Sequence, residues 1–205
     1  MISTFVVTVL FLSAATAKQY NSYEEPEWRL IGDQPKDGSF EARLYPACNW
    51  TTTSIRGDTV DQVTKTAFWR LFKYIQGANI RKTVIPMTVP VSIRTPSQPC
   101  PFCPTEFDIS FYLPTAFQTN QPEPTNSLIT VREQPAMKVY ARTFTGFADS
   151  VAWKTEAGKL YADLLRNGVS DSTLDKRMMI CAGYDSPFHL FNRRNEVWIA
   201  VKPQA

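Results

Sequence analysis

The chain has 205 residues, a net charge of +3, and 20% charged against 43% hydrophobic residues. That length supports one domain with a real core. Lysine and arginine are spread along the chain, which argues against a nucleic-acid interface. Four cysteines, an even number, suggest two disulfides if the compartment is oxidising.

The N-terminus points to such a compartment. Phe5 to Leu12 is apolar apart from Thr8, and small residues ending Ala15-Thr16-Ala17 follow. The run is too short to span a bilayer and reads as a secretory signal peptide over residues 1–17. No second stretch is long enough for a membrane span. Residues 18–39 are polar, with scattered prolines and acids, and form an N-terminal arm. The folded domain is expected over residues 40–203. Asn49-Trp50-Thr51 is the N-glycosylation sequon, with Asn49 as acceptor.

Phe40 to Ile55 has strand character, and Arg56-Gly57-Asp58 reads as a turn. Thr59-x-x-Gln62 has capping-box spacing and opens a helix to about Gln76, closed by Gly77. Met87 to Ile93 alternates apolar with small or polar residues, and Pro86 and Pro90 confine it to an edge or bulge. Phe107 to Leu113 alternates more cleanly, as a half-buried strand does. Proline-rich loops flank it, the second reaching Ser127. Met137 to Phe144 is a further strand. A second helix starts near Asp149 and ends near Asn167-Gly168. Met178 to Ala182 and Glu196 to Lys202 are the last strands. The order strand–helix–strand–strand occurs twice, which suggests an α+β fold with an internal duplication.

The two helices differ. The second has one apolar stripe, Trp153, Ala157, Leu160, Tyr161, Leu164 and Leu165, opposite a solvated face with Thr155, Lys159, Asp163 and Arg166. The first has a core stripe of Val60, Val63, Ala67, Leu71, Tyr74 and Ile75. It also carries Phe68, Trp69 and Phe72 off that stripe, flanked by Lys65 and Lys73. Either the loop after Leu113 covers these rings, or they form a binding surface for a flat apolar ligand bearing carboxylates.

His189 is the only histidine. It lies in a turn-like segment and could ligate iron, contact a ligand's rim, or be polar surface. Cys100-Pro101-Phe102-Cys103 has redox-motif spacing, but no helix starts there to lower a thiol pKa, so a structural Cys100–Cys103 disulfide is expected. That leaves Cys48–Cys181 as the second bridge. Glu41, Arg43, Arg193, Arg194 and Glu196 suit a buried ion network. No nucleotide-binding, metalloprotease or Ser-His-Asp pattern is present, and catalysis is not expected.

Several ordered motifs resemble the SOUL heme-binding family. They are Phe40-Glu41-Ala42-Arg43-Leu44-Tyr45, Tyr74 to Asn79 with Met87-Thr88-Val89-Pro90-Val91, and Phe111-Tyr112-Leu113-Pro114. The most specific are Ala182 to Pro187 and Arg193 to Trp198. The resemblance implies a distorted antiparallel β-barrel of two βαββ pseudo-repeats with two flanking helices. It implies non-covalent binding of heme or another porphyrin in an apolar groove beside the first helix, as carrier, buffer or scavenger. By position, Lys65, Phe68 and Lys73 look like groove residues, joined by Trp69 and Phe72 from the aromatic patch. His189 looks groove-facing and is the candidate axial ligand. The alternatives are a secreted protein–protein interaction module using the same patch, and a thiol–disulfide oxidoreductase working through Cys100 and Cys103.

Overall fold

The computed structural model describes residues 18–96, 105–186 and 188–203. In the arm, β1 (Gln19–Tyr20) pairs with β2 (Tyr23–Glu24), and β3 (Arg29–Leu30) joins the main sheet. Strands β4 (Glu41–Tyr45) and β5 (Cys48–Gly57) precede helix α1 (Val60–Ile75), β6 (Val91–Pro96) and β7 (Thr105–Tyr112). Then come β8 (Thr130–Gln134), β9 (Met137–Phe144), helix α2 (Ser150–Arg166), β10 (Met178–Gly183) and β11 (Asn195–Ala200). Nine strands form one antiparallel sheet in the order β3-β4-β9-β11-β10-β6-β7-β5-β8. The sheet curls into a half-barrel. Its edges, β3 and β8, stay apart among the described residues, so the expected barrel is open.

Local chemistry explains most boundaries. Thr59 caps α1, its hydroxyl accepting from the Gln62 amide at 3.3 Å. The Gln62 side chain reaches back to the amide of Asp58 at 2.8 Å, one residue earlier than a strict capping box requires. Gly77 sits just past the helix at φ 105°, where a Cβ would be strained. Asp149 caps α2 by accepting from Val151 and Ala152. The strand expected over Met87–Ile93 begins only at Val91, and it is interior, between β10 and β7. Pro86 and Pro90 precede the ladder, so neither interrupts it. β8 went unread because three of its five residues are exposed; an edge strand carries little apolar alternation.

Both helices lie on one face of the sheet, α1 over β5 and β7, α2 over β9 and β11. All six residues of the expected α1 core stripe are buried. They meet Ile93, Ile109, Cys181 and Val197 from the sheet. In α2 the stripe is narrower. Trp153, Leu160 and Leu164 are buried, while Leu165 is 42% exposed. Asp163, expected on the solvated face, is buried because Arg142 of β9 pairs with it at 2.9 Å.

A second cluster fills the opposite, inner face: Tyr45, Val89, Val139, Ile180, Tyr184 and Trp198, with Tyr20 and Trp28 of the arm packed on it. The anticipated ion network closes this face. Arg43 pairs with Glu196 at 2.8 Å and with Glu41 at 2.7 Å, and Arg194 pairs with Glu196 at 2.8 Å. Arg193 stands apart, donating to the carbonyls of Ser186, His189 and Asp185.

The Cys48–Cys181 disulfide does not form: both are free thiols. The register gives the reason. Cys181 lies opposite Ile93, Ile93 opposite Ile109, and Ile109 opposite Thr53. Three strand spacings, roughly 14 Å, therefore separate the two strands, and Cys48 lies about 17 Å further along β5 than Thr53. A disulfide requires Cα atoms within about 7 Å. Cys100, Cys103 and the signal-peptide segment lie outside the described residues.

Candidate functional site

The α1 aromatic patch assembles as a unit. Phe68 stacks on Phe72, centroids 5.6 Å apart and planes at 14°. Trp69 meets both edge-on, at 5.8 and 5.4 Å. Phe68 also meets Phe111 of β7 edge-on at 5.3 Å, which anchors the patch to the sheet. Phe68 and Phe72 are half-buried, and Trp69 is 51% exposed. Helical spacing explains the grouping: residues 65, 68, 69, 72 and 73 recur at intervals of three and four and share one side of α1.

The loop after Leu113 leaves Trp69 half exposed. It docks on the end of α1, where the Tyr74 hydroxyl donates to the Pro122 carbonyl at 2.7 Å. Arg70, on the next face, donates to the Thr53 hydroxyl at 2.6 Å and pins α1 to β5. Lys65 and Lys73 are exposed and form no ion pair among the described residues. At 1.5 Å per residue they stand about 12 Å apart along the axis. The patch is thus a half-exposed aromatic cluster in which Trp69 stands edge-on to the two phenylalanines, with an exposed lysine near each end.

His189 lies elsewhere, on the β10–β11 connection. It is exposed, and its Nδ1 sits 2.7 Å from Asp185 Oδ1. The Tyr20 hydroxyl and the Arg194 amide also donate to Asp185. These bonds hold its carboxyl below the usual range against the cost of burial. The ring's other nitrogen, Nε2, is left to meet a partner. None of the hydrogen bonds made by His189 reaches α1. Among the described residues no group of three or more His, Cys, Asp or Glu side chains could hold a metal ion. The aromatic contacts of α1 and the imidazole of His189 therefore belong to different parts of the fold.

Sequence reasoning missed one feature of that loop. Phe188 is 92% exposed, Phe191 77% and Leu190 61%. Phe147 is also exposed, and the Arg193 guanidinium lies 4.6 Å from its ring centroid. Three large apolar residues in a turn-forming segment are the signal for it in the sequence. For Asn49, the acceptor nitrogen donates to the Gln118 carbonyl at 2.8 Å in the folded chain.

The chain matches the family model described as SOUL heme-binding protein over residues 23–200. It is 33% identical to heme-binding protein 2 of Homo sapiens over 190 residues, covering 92% of this chain and 91% of that one. It is 30% identical to heme-binding protein 1 of Xenopus laevis over 177 residues, covering 85% and 90%. Among solved structures, the EcmrR C-terminal domain aligns with a TM-score of 0.53 at 13% identity, covering 80% of this chain and 99% of that domain. A hydrolase from Listeria innocua aligns at 0.52 and 10% identity, covering 80% and 92%. The last two share the fold alone. The motifs of β4, β10 and β11, the two-helix half-barrel and the sequence matches agree: the chain belongs to the SOUL heme-binding protein family.

Proposed function

We propose that the protein binds heme or a related tetrapyrrole non-covalently along the exposed side of α1, as a secreted carrier, buffer or scavenger. The observation that carries this reading is the half-open cluster of Phe68, Trp69 and Phe72 with a free lysine near each end. Half-exposed Trp69 and the phenylalanines beside it offer apolar area to a macrocycle, and burial of that area supplies most of the affinity. Lys65 and Lys73 pair with the two propionates. Heme, when bound, brings the iron; α1 supplies the aromatic contact and the cations. A signal peptide over residues 1–17 exports the protein, and nothing in the reading requires catalysis.

Hemin titrated into the purified protein tests it through the Soret band. A saturable shift near one equivalent is expected. Its affinity falls in Lys65→Ala/Lys73→Ala by about tenfold, as loss of two partly exposed ion pairs allows. If the double variant binds like wild type, the lysines have no role. Absorbance no different from that with an unrelated protein rules out the site. The second reading, a protein partner on the same aromatic face, gains support from the apolar tip of Phe188, Leu190 and Phe191. It predicts a stable complex carrying no chromophore.

A further inference from the structure

A cavity of about 580 Å³ lies between the two helices, above the sheet. It is separate from the aromatic patch: its α1 lining stops at Val60, about 12 Å along the helix axis from Phe68. Ser150 closes the gap between the helices by donating twice to Asp61, at 3.1 and 2.7 Å. The floor is apolar and soft, with Phe107, Met178, Met179 and Ile199.

The wall formed by α2 is unusual. Trp153, Lys154, Ala157, Gly158 and Tyr161 all line the cavity. The two smallest residues sit between the two aromatic ones, which are about 12 Å apart along the helix axis, and leave a notch between them. A glycine inside a helix costs about 1 kcal/mol relative to alanine. Close packing does not require it here, since a Cβ at Gly158 would meet no atom within 4 Å. The missing side chain therefore leaves space open and serves no helix–sheet contact. A volume of this size falls in the range of small-molecule sites.

Charge decides the kind of ligand. The lining holds Asp58, Asp175, Lys154 and Lys176, two of each sign. Two of these are engaged already: Asp175 accepts from Arg177 at 2.8 Å, and Lys176 donates to Asp171 at 2.7 Å. The cavity therefore presents no net charge, and Thr59, Thr105 and Ser150 supply hydroxyls. We infer that this cavity is a second ligand site, for a compact, uncharged aromatic molecule seated in the notch between Trp153 and Tyr161.

The test uses N-phenyl-1-naphthylamine, an uncharged dye that brightens in apolar surroundings, titrated into the purified full chain. Saturable brightening is expected, weakened about tenfold by Gly158→Leu and by Ala157→Phe, which fill the notch. The thermal midpoint of Gly158→Leu should hold or rise, because leucine is the better helix former. Trp69→Ser should leave dye binding unchanged. The anionic relative 1-anilinonaphthalene-8-sulfonate should bind about tenfold more weakly. Absence of saturable brightening would overturn the site, as would notch variants that bind like wild type. Brightening lost in Trp69→Ser would place the dye on α1, and equal binding of the sulfonate would overturn the charge argument.

Discussion

Glu196 is the residue on which most polar groups converge. It is fully buried and accepts from Arg43, Arg194, the Tyr184 hydroxyl and the Trp198 indole. Burial pushes its pKa up, but the guanidiniums outweigh that and hold it down at about 2. Glu196→Gln leaves Arg43, itself 2% exposed, without its main countercharge. The expected loss of stability is roughly 3–5 kcal/mol, read as a lower urea midpoint. The pH dependence has a definite sign. The folded pKa lies below the ordinary value of 4.5, so the contribution of Glu196 is complete above about pH 4.5. It declines as the pH falls below that and is gone near pH 2. Glu25, raised by burial, titrates in the opposite sense and above this window, adding stability as the pH falls toward 4.5 and leaving the decline below it unchanged. Wild type should therefore lose stability across this window more steeply than Glu196→Gln; parallel curves would contradict the network. The network was legible because three of its charges sit in strands with apolar neighbours. The role of Arg193 was not, since carbonyl partners in a loop leave no mark in sequence.

At the scale of elements, α1 separates two jobs by side. Leu71 is completely buried, so Leu71→Ala should cost about 2–5 kcal/mol. Trp69 is half exposed, so Trp69→Ser should stay within about 0.5 kcal/mol of wild type while hemin affinity falls. Chemical denaturation beside the Soret titration checks both. If Trp69→Ser destabilises as much as Leu71→Ala, the patch is core and not a platform. This division was readable from helical periodicity. The α2 face was harder, because Asp163 is buried by an arginine on β9, a partner 21 residues away in sequence. β8 was missed for a related reason: with one neighbour, its polar residues carry no periodic signal.

For the whole molecule, the strand and helix order could be read, but the pairing of strands could not. Cys48 and Cys181 both sit in strands, as expected, yet the register sets them far apart. Pairing fixes which residues share an end of the sheet, and that is long-range information. It also gives α1 two separate neighbourhoods. The N-terminal end borders the inter-helix cavity, and the middle carries the aromatic patch. The most direct measurement is a two-dimensional amide NMR titration of the isotope-labelled protein with diamagnetic zinc protoporphyrin. Shifts concentrated on residues 65–73 are expected. Shifts centred on residues 153–161 instead, with Lys65 to Lys73 unmoved, would contradict binding along α1.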